Sequence, residues 1–143
     1  MMKKLISRLN KIVILLAMMF VATACNTEDD IDAIFRERTW YLTYIKAGNT
    51  ESYSKNKIYS IEFKNDNFNA TMPNGAVIKG KWYADGSDKH LFNCRNVQME
   101  GVISGDTIAE RMYEIMKNAQ KYDGDTNWLQ IIQDKNTYMQ FYN

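Results

Sequence analysis

The chain has 143 residues, 45% of them hydrophobic and 24% charged, with a single Pro. That balance belongs to one globular domain and excludes a disordered or collagen-like chain. A formal charge of +1 gives no whole-chain case for nucleic acid, and two Cys and one His exclude a disulfide framework, a four-cysteine zinc site or a His-rich metal site.

The first 24 residues differ from the rest. Lys3, Lys4, Arg8 and Lys11 form a basic stretch without acids, followed by the uncharged run Ile12–Val21 and the small residues Ala22-Thr23-Ala24. Ten apolar residues are too few to span about 30 Å of hydrocarbon as a helix and suit the apolar core of a signal peptide. Cys25 comes next, and this arrangement resembles a bacterial lipobox, although Ala22 stands where Leu is usual. The resemblance implies acylation of Cys25 and a mature N-terminus there, so residues 1–24 are expected to be removed. The mature chain of 119 residues then carries 14 bases against 17 acids, a net charge of −3, and Cys94 is its other thiol.

Asn26–Asp32 holds four acids in seven residues. Residues 25–32 read as an acidic, solvated tether. An acidic run in this place also resembles the surface-export signal of Bacteroidetes lipoproteins, and that resemblance implies an outer-membrane location with exposure at the cell surface.

Residues 33–143 read as one domain, strand-rich at first. Trp40–Ile45 is aromatic and β-branched. Residues 46–57 are polar and read as a loop. Tyr59, Ile61 and Phe63 alternate, as do Phe68, Ala70 and Met72 after the Asn65-Asp66 turn. Pro73-Asn74-Gly75 is a strong turn, and Ala76, Ile78, Gly80 and Trp82 share one face of the next strand. Residues 89–94 and 97–103 read as weaker strands.

The period then changes from 2 to 3.6. Ile108, Met112, Ile115, Met116 and Ala119 form one helical stripe. Thr107 with Glu110 three later reads as a capping box that starts the helix. Tyr122–Thr126 reads as its end. Trp128–Gln133 and Thr137–Tyr142 close the chain as two strands. The fold class is α+β: an antiparallel, partly open β-barrel or strongly curved sheet of 7–8 strands, with one amphipathic helix inserted before the last two.

Several short motifs resemble the META/HslJ-like domain of bacterial envelope lipoproteins: Trp40-Tyr41-Leu42, Ile61-Glu62-Phe63, Gly80-Lys81-Trp82, the helix from Glu110 to Tyr122, and the closing Trp128–Ile132 and Tyr138–Phe141. A lipocalin-like lipoprotein shares the Trp-x-Leu and Gly-x-Trp features and is the second resemblance. The first implies a barrel crossed by a helix and no catalysis. The second implies an apolar ligand inside the barrel, a reading that a plug of Ile108, Met112, Ile115 and Met116 would defeat.

Catalytic and metal constellations are absent from the pattern. His90 and Cys94, four apart on a strand, would stand about 13 Å from one another, too far for a dyad. Glu62, Glu100, Glu110 and Glu114 offer no singled-out carboxylate pair. Asp85, Asp88, Asp123 and Asp125 read as turn residues rather than a calcium loop. No cofactor is expected. Tyr41, Tyr44, Tyr83 and Tyr138 cannot all share the interior with the tryptophans and methionines, so some must face out, where rings stack on a sugar or anchor a protein. Asp106-Thr107-Ile108 resembles the O-glycosylation motif of Bacteroidetes envelope proteins, which makes Thr107 a candidate acceptor. The expectation is a lipid-anchored, non-catalytic binding or accessory domain. Its partners are the membrane through the acyl chains on Cys25 and a protein, glycan or small apolar ligand, and not nucleic acid.

Overall fold

A computed structural model describes residues 27–86 and 88–143. Two helices, α1 (Thr27–Phe35) and α2 (Thr107–Asn118), accompany nine strands. These are β1 (Arg38–Ala47), β2 (Thr50–Tyr53), β3 (Ser60–Lys64), β4 (Asn67–Thr71), β5 (Val77–Asp85), β6 (Leu91–Glu100), β7 (Lys121–Gly124), β8 (Trp128–Asp134) and β9 (Thr137–Tyr142). All pair antiparallel in the order β2-β1-β3-β4-β5-β6-β7-β8-β9, and β1 also pairs with β9, so the sheet curves into a ring. Among the described residues no helix is long and apolar enough to cross a membrane.

The alternation read in β3, β4 and β5 faces inward as expected. Ile61, Phe63, Phe68, Ala70, Ile78 and Trp82 are buried, and Trp40, Leu42, Leu129, Ile131, Met139 and Phe141 complete the inner face. The seam between β6 and β7 is short, with Leu91 opposite Lys121 as its one register pair. Helix α2 covers the rest of β6 there. Its buried stripe of Ala109, Met112, Ile115 and Met116 joins the same core, while Ile108 is only partly buried against it. The interior is therefore filled by side chains from both the ring and the helix.

Several expectations need correction. Thr107 does not cap α2: Asp106 does, its carboxylate accepting from the Ala109 amide at 3.0 Å. The charged carboxylate is a strong acceptor at the positive helix end, and Tyr59 Oη donates to both its oxygens at 2.9 and 2.8 Å, which holds it in place. Glu110 instead accepts from the Gly105 amide at 3.3 Å. Three strands rather than two follow α2, because Tyr122–Gly124 belongs to β7. β2 (Thr-Glu-Ser-Tyr) and β7 (Lys-Tyr-Asp-Gly) carry no apolar alternation. They are strands because a neighbouring edge supplies hydrogen bonds, a tertiary cause. The segments at 89–94 and 97–103 are one strand, β6.

The acidic segment is not a free tether from Thr27 onward. It forms α1, whose acids lie at the end where the helix dipole favours negative charge. Ile34 and Phe35 are buried, and Trp40 Nε1 donates to the Ile34 carbonyl at 2.9 Å. Phe35 enters one end of the ring among Phe63, Trp82, Phe92 and Tyr122, with ring centroids 5.1–5.5 Å away. Residue 25 lies outside the described residues.

Candidate functional site

Strand β1 holds the feature that builds the site. Strict alternation would put Tyr41 and Tyr44, three apart, on opposite faces. A bulge between Leu42 and Tyr44 adds a residue, so Leu42 and Ile45 both point in and Tyr41 and Tyr44 share the outer face. Thr43 fixes it: its hydroxyl donates to the Gln140 carbonyl at 3.2 Å, and its carbonyl accepts from Ser54 N at 3.0 Å.

Outside the ring, β8, β9, β1 and β2 then form a wall of three registered rows. The first is Trp128, Tyr142 and Tyr41. The second is Gln130, Gln140, Tyr44 and Tyr53. The third is Ile132, Tyr138, Lys46 and Glu51. Tyr53 is 69% and Tyr142 46% exposed, and Trp128, Tyr41, Tyr44 and Tyr138 are half-buried. Tyr44 lies 5.1 Å from Tyr53 and 5.9 Å from Tyr138 between ring centroids. Lys57 Nζ stands 4.8 Å over the Tyr41 ring. Tyr44 Oη donates to Glu51 at 2.7 Å, and that bond holds the phenol proton well beyond the usual tyrosine range. Gln140 Nε2 donates to Tyr142 Oη at 3.2 Å, which leaves its amide oxygen open to an outside donor. The wall offers ring faces in all three rows, with two amides in the middle one.

Other candidate residues are placed as follows. Tyr83, 54% exposed, stands on β5, on another part of the ring. His90 has φ +46° and stacks on Tyr122 at 5.1 Å, while Cys94 faces Trp82 on β5. Burial pushes the Cys94 thiol up to about 12, away from the range of a nucleophile. Asp123 accepts from the Gly124 amide, and Asp125 from the amides of Asn127 and Trp128, as turn carboxylates do. Glu114 holds Lys117 at 2.7 Å on the exposed side of α2. Among the described residues no group of three His, Cys, Asp or Glu is placed to hold a metal ion. Thr107 is exposed in the first turn of α2, its hydroxyl not used as the cap. Tyr53 and Tyr142 were missed as partners of Tyr41, Tyr44 and Tyr138. Only β2 pairing and the bulge bring them together, and neither leaves a trace in the local pattern.

The family model described as "Domain of unknown function (DUF4847)" matches residues 26–143. The chain belongs to the DUF4847 family. Comparison with curated proteins finds no match. Among solved structures it is similar to a crystal structure of a DUF4847 family protein from Bacteroides vulgatus ATCC 8482, with a TM-score of 0.58 and 22% identity. The match covers 78% of this chain and 96% of that one, and at this identity it concerns the fold. These findings overturn the META/HslJ-like resemblance and the lipocalin-like second choice. The motifs behind both answer to packing in this closed sheet: Trp40 is buried near the start of the first strand, and Gly80 stands at a tight register shift. In the DUF4847 chain an added Cβ at Gly80 would meet Arg95 O and Phe68 Cε1 at 2.9 Å, so glycine is dictated by packing and carries no family signal.

Proposed function

We propose that this chain is a lipid-anchored protein of the outer membrane, joined to the bilayer through acyl chains on Cys25. On this reading the barrel is a non-catalytic binding domain that takes its ligand on the outer wall of β8, β9, β1 and β2. The observation that carries this reading is the registered set Trp128–Tyr142–Tyr41 beside Gln130–Gln140–Tyr44–Tyr53. Half-exposed ring faces offer apolar area to the C–H faces of a sugar, and the amides offer donors and acceptors to its hydroxyls. A saccharide is the ligand class that uses both. The basic, apolar and small-residue leader before Cys25 supports the anchor. Thr107, exposed and free of the capping role, is the proposed site of O-glycosylation.

Two measurements test this. Intact-mass and fractionation analysis of the protein from its own envelope should find acyl chains on Cys25 and a glycan mass on Thr107. A Cys25→Ser variant should leave the membrane fraction. For the wall, Trp128 is the one tryptophan outside the core, since Trp40 is 0% and Trp82 9% exposed. Titration with neutral polysaccharides should shift its fluorescence, and Trp128→Ala with Tyr142→Ala should weaken binding about tenfold or more, as central aromatic anchors do. Binding unchanged in that double variant would sink the wall as the site.

A further inference from the structure

The far side of the ring carries a second wall of different chemistry. On β3, β4, β5 and β6 the residues Lys64, Asn67, Lys81 and Arg95 lie opposite one another in one registered row. All four are exposed. Three strand spacings make the row about 14 Å long. Among the described residues Lys64, Lys81 and Arg95 form no ion pair, and Lys81 faces Arg95 directly, an arrangement that costs stability. Acids around the row are Glu37, whose amide donates to the Phe63 carbonyl next to Lys64, Glu62, one rung away opposite Asn69, and Glu100, which Lys79 engages. Asp66 lies in the turn beside the row.

Next to the row the register shifts between Lys79 and Lys81, where Gly80 packs tightly against the Arg95 carbonyl and Phe68. The result is a surface depression of about 340 Å³ lined by Asn67, Asn69, Lys79, Lys81, Asn96 and Gln98, among others. Four amide residues and two lysines line it, Lys79 already engaged by Glu100 and Lys81 without an ion pair among the described residues. Asn96 joins them in a left-handed conformation, φ +53°, set by the same shift.

We infer that this wall binds an acidic polysaccharide, its carboxylates on Lys64, Lys81 and Arg95 and its hydroxyls on the amides of the depression. Like charges held in register without partners call for an anionic occupant, and the amides call for one that also carries hydroxyls. An extended chain fits a row on a barrel flank better than a single headgroup does. An anionic leaflet is disfavoured, because Glu28, Asp29, Asp30 and Asp32 precede the domain where the anchor would lie. This wall is independent of the aromatic one, which lies across the ring.

The test uses the chain from residue 25 with Cys25→Ser, which holds every described residue. Binding to immobilised polygalacturonate is compared with binding to dextran and to vesicles containing phosphatidylglycerol. The expected result is binding to polygalacturonate that weakens as salt rises, with none to dextran. The Lys64→Gln, Lys81→Gln, Arg95→Gln triple variant should lose roughly tenfold or more. The Lys81→Glu variant separates binding from folding: it gains a cross-strand partner in Arg95, so its Tm should hold or rise while binding falls. Trp128→Ala with Tyr142→Ala should leave polygalacturonate binding intact, whatever it does to neutral sugars. Equal binding to dextran, binding to the vesicles alone, no binding to any probe, or an undiminished triple variant would each overturn the proposal.

Discussion

Tyr59 and Asp106 join the start of β3 to the start of α2, 47 positions apart, by a hydroxyl donating to both carboxylate oxygens. Tyr59 Oη is the tertiary arm of a cap that Asp106 also makes locally. A hydrogen bond to a charged group is worth about 1.5–3 kcal/mol, so Tyr59→Phe should cost about 2 kcal/mol in urea unfolding. The bond also has a pH signature. Burial, with Asp106 adding to it, raises the Tyr59 phenol from 10.0 to about 12. Between those values the unfolded chain releases a proton that the folded chain keeps. The stabilisation is full below pH 10 and is lost as pH rises toward 12. The gap between wild type and Tyr59→Phe should therefore narrow across that window. Cys94 gives a second residue-scale outcome. With its thiol raised to about 12 by desolvation, alkylation at pH 8 should run about a hundredfold or more slower in the native protein than in urea, as followed by mass.

At the scale of elements, α1 covers one end of the ring. Nine residues form a marginal helix by themselves, and docking through Ile34 and Phe35 is what holds this one. Phe35 is fully buried and touches four other rings. Phe35→Ala should cost about 3–5 kcal/mol in equilibrium unfolding, the range for removing a buried aromatic. A loss under about 1 kcal/mol would mean that α1 is not part of the cooperative unit. The charges of α1 were plain in the sequence, and so was its place ahead of the barrel. Its docking was not, because two apolar residues after four acids look like the edge of the next segment.

For the whole molecule, the pairing of β9 with β1 matters most. Residues Tyr41–Ala47 meet Thr137–Tyr142 and close the ring between segments about a hundred positions apart. Removing residues 137–143 would expose the edges of β1 and β8 together and strip Met139 and Phe141 from the core. Such a truncation should show no cooperative thermal transition and should aggregate, as light scattering would report. Survival of a sharp transition would mean that the closure is dispensable. The closed ring also gives the chain two outer walls, aromatic with amides on one side and cationic with amides on the other. A partner bound on one wall leaves the other open.

The sequence by itself determined what depends on neighbours along the chain. Inward alternation of Tyr59, Ile61 and Phe63, the turn at Pro73-Asn74-Gly75, the helical stripe from Ile108 to Ala119 and the final hairpin all arise from periods of 2 and 3.6 and from turn chemistry. Tertiary structure decided what depends on pairing. β2 and β7 became strands because edges were waiting for them. Asp106 displaced Thr107 as cap with Tyr59 holding its carboxylate. The bulge at Thr43 turned Tyr44 outward beside Tyr41. Both candidate walls follow from register, which brings together residues far apart in the chain, and a one-residue shift in register would scatter them to opposite faces.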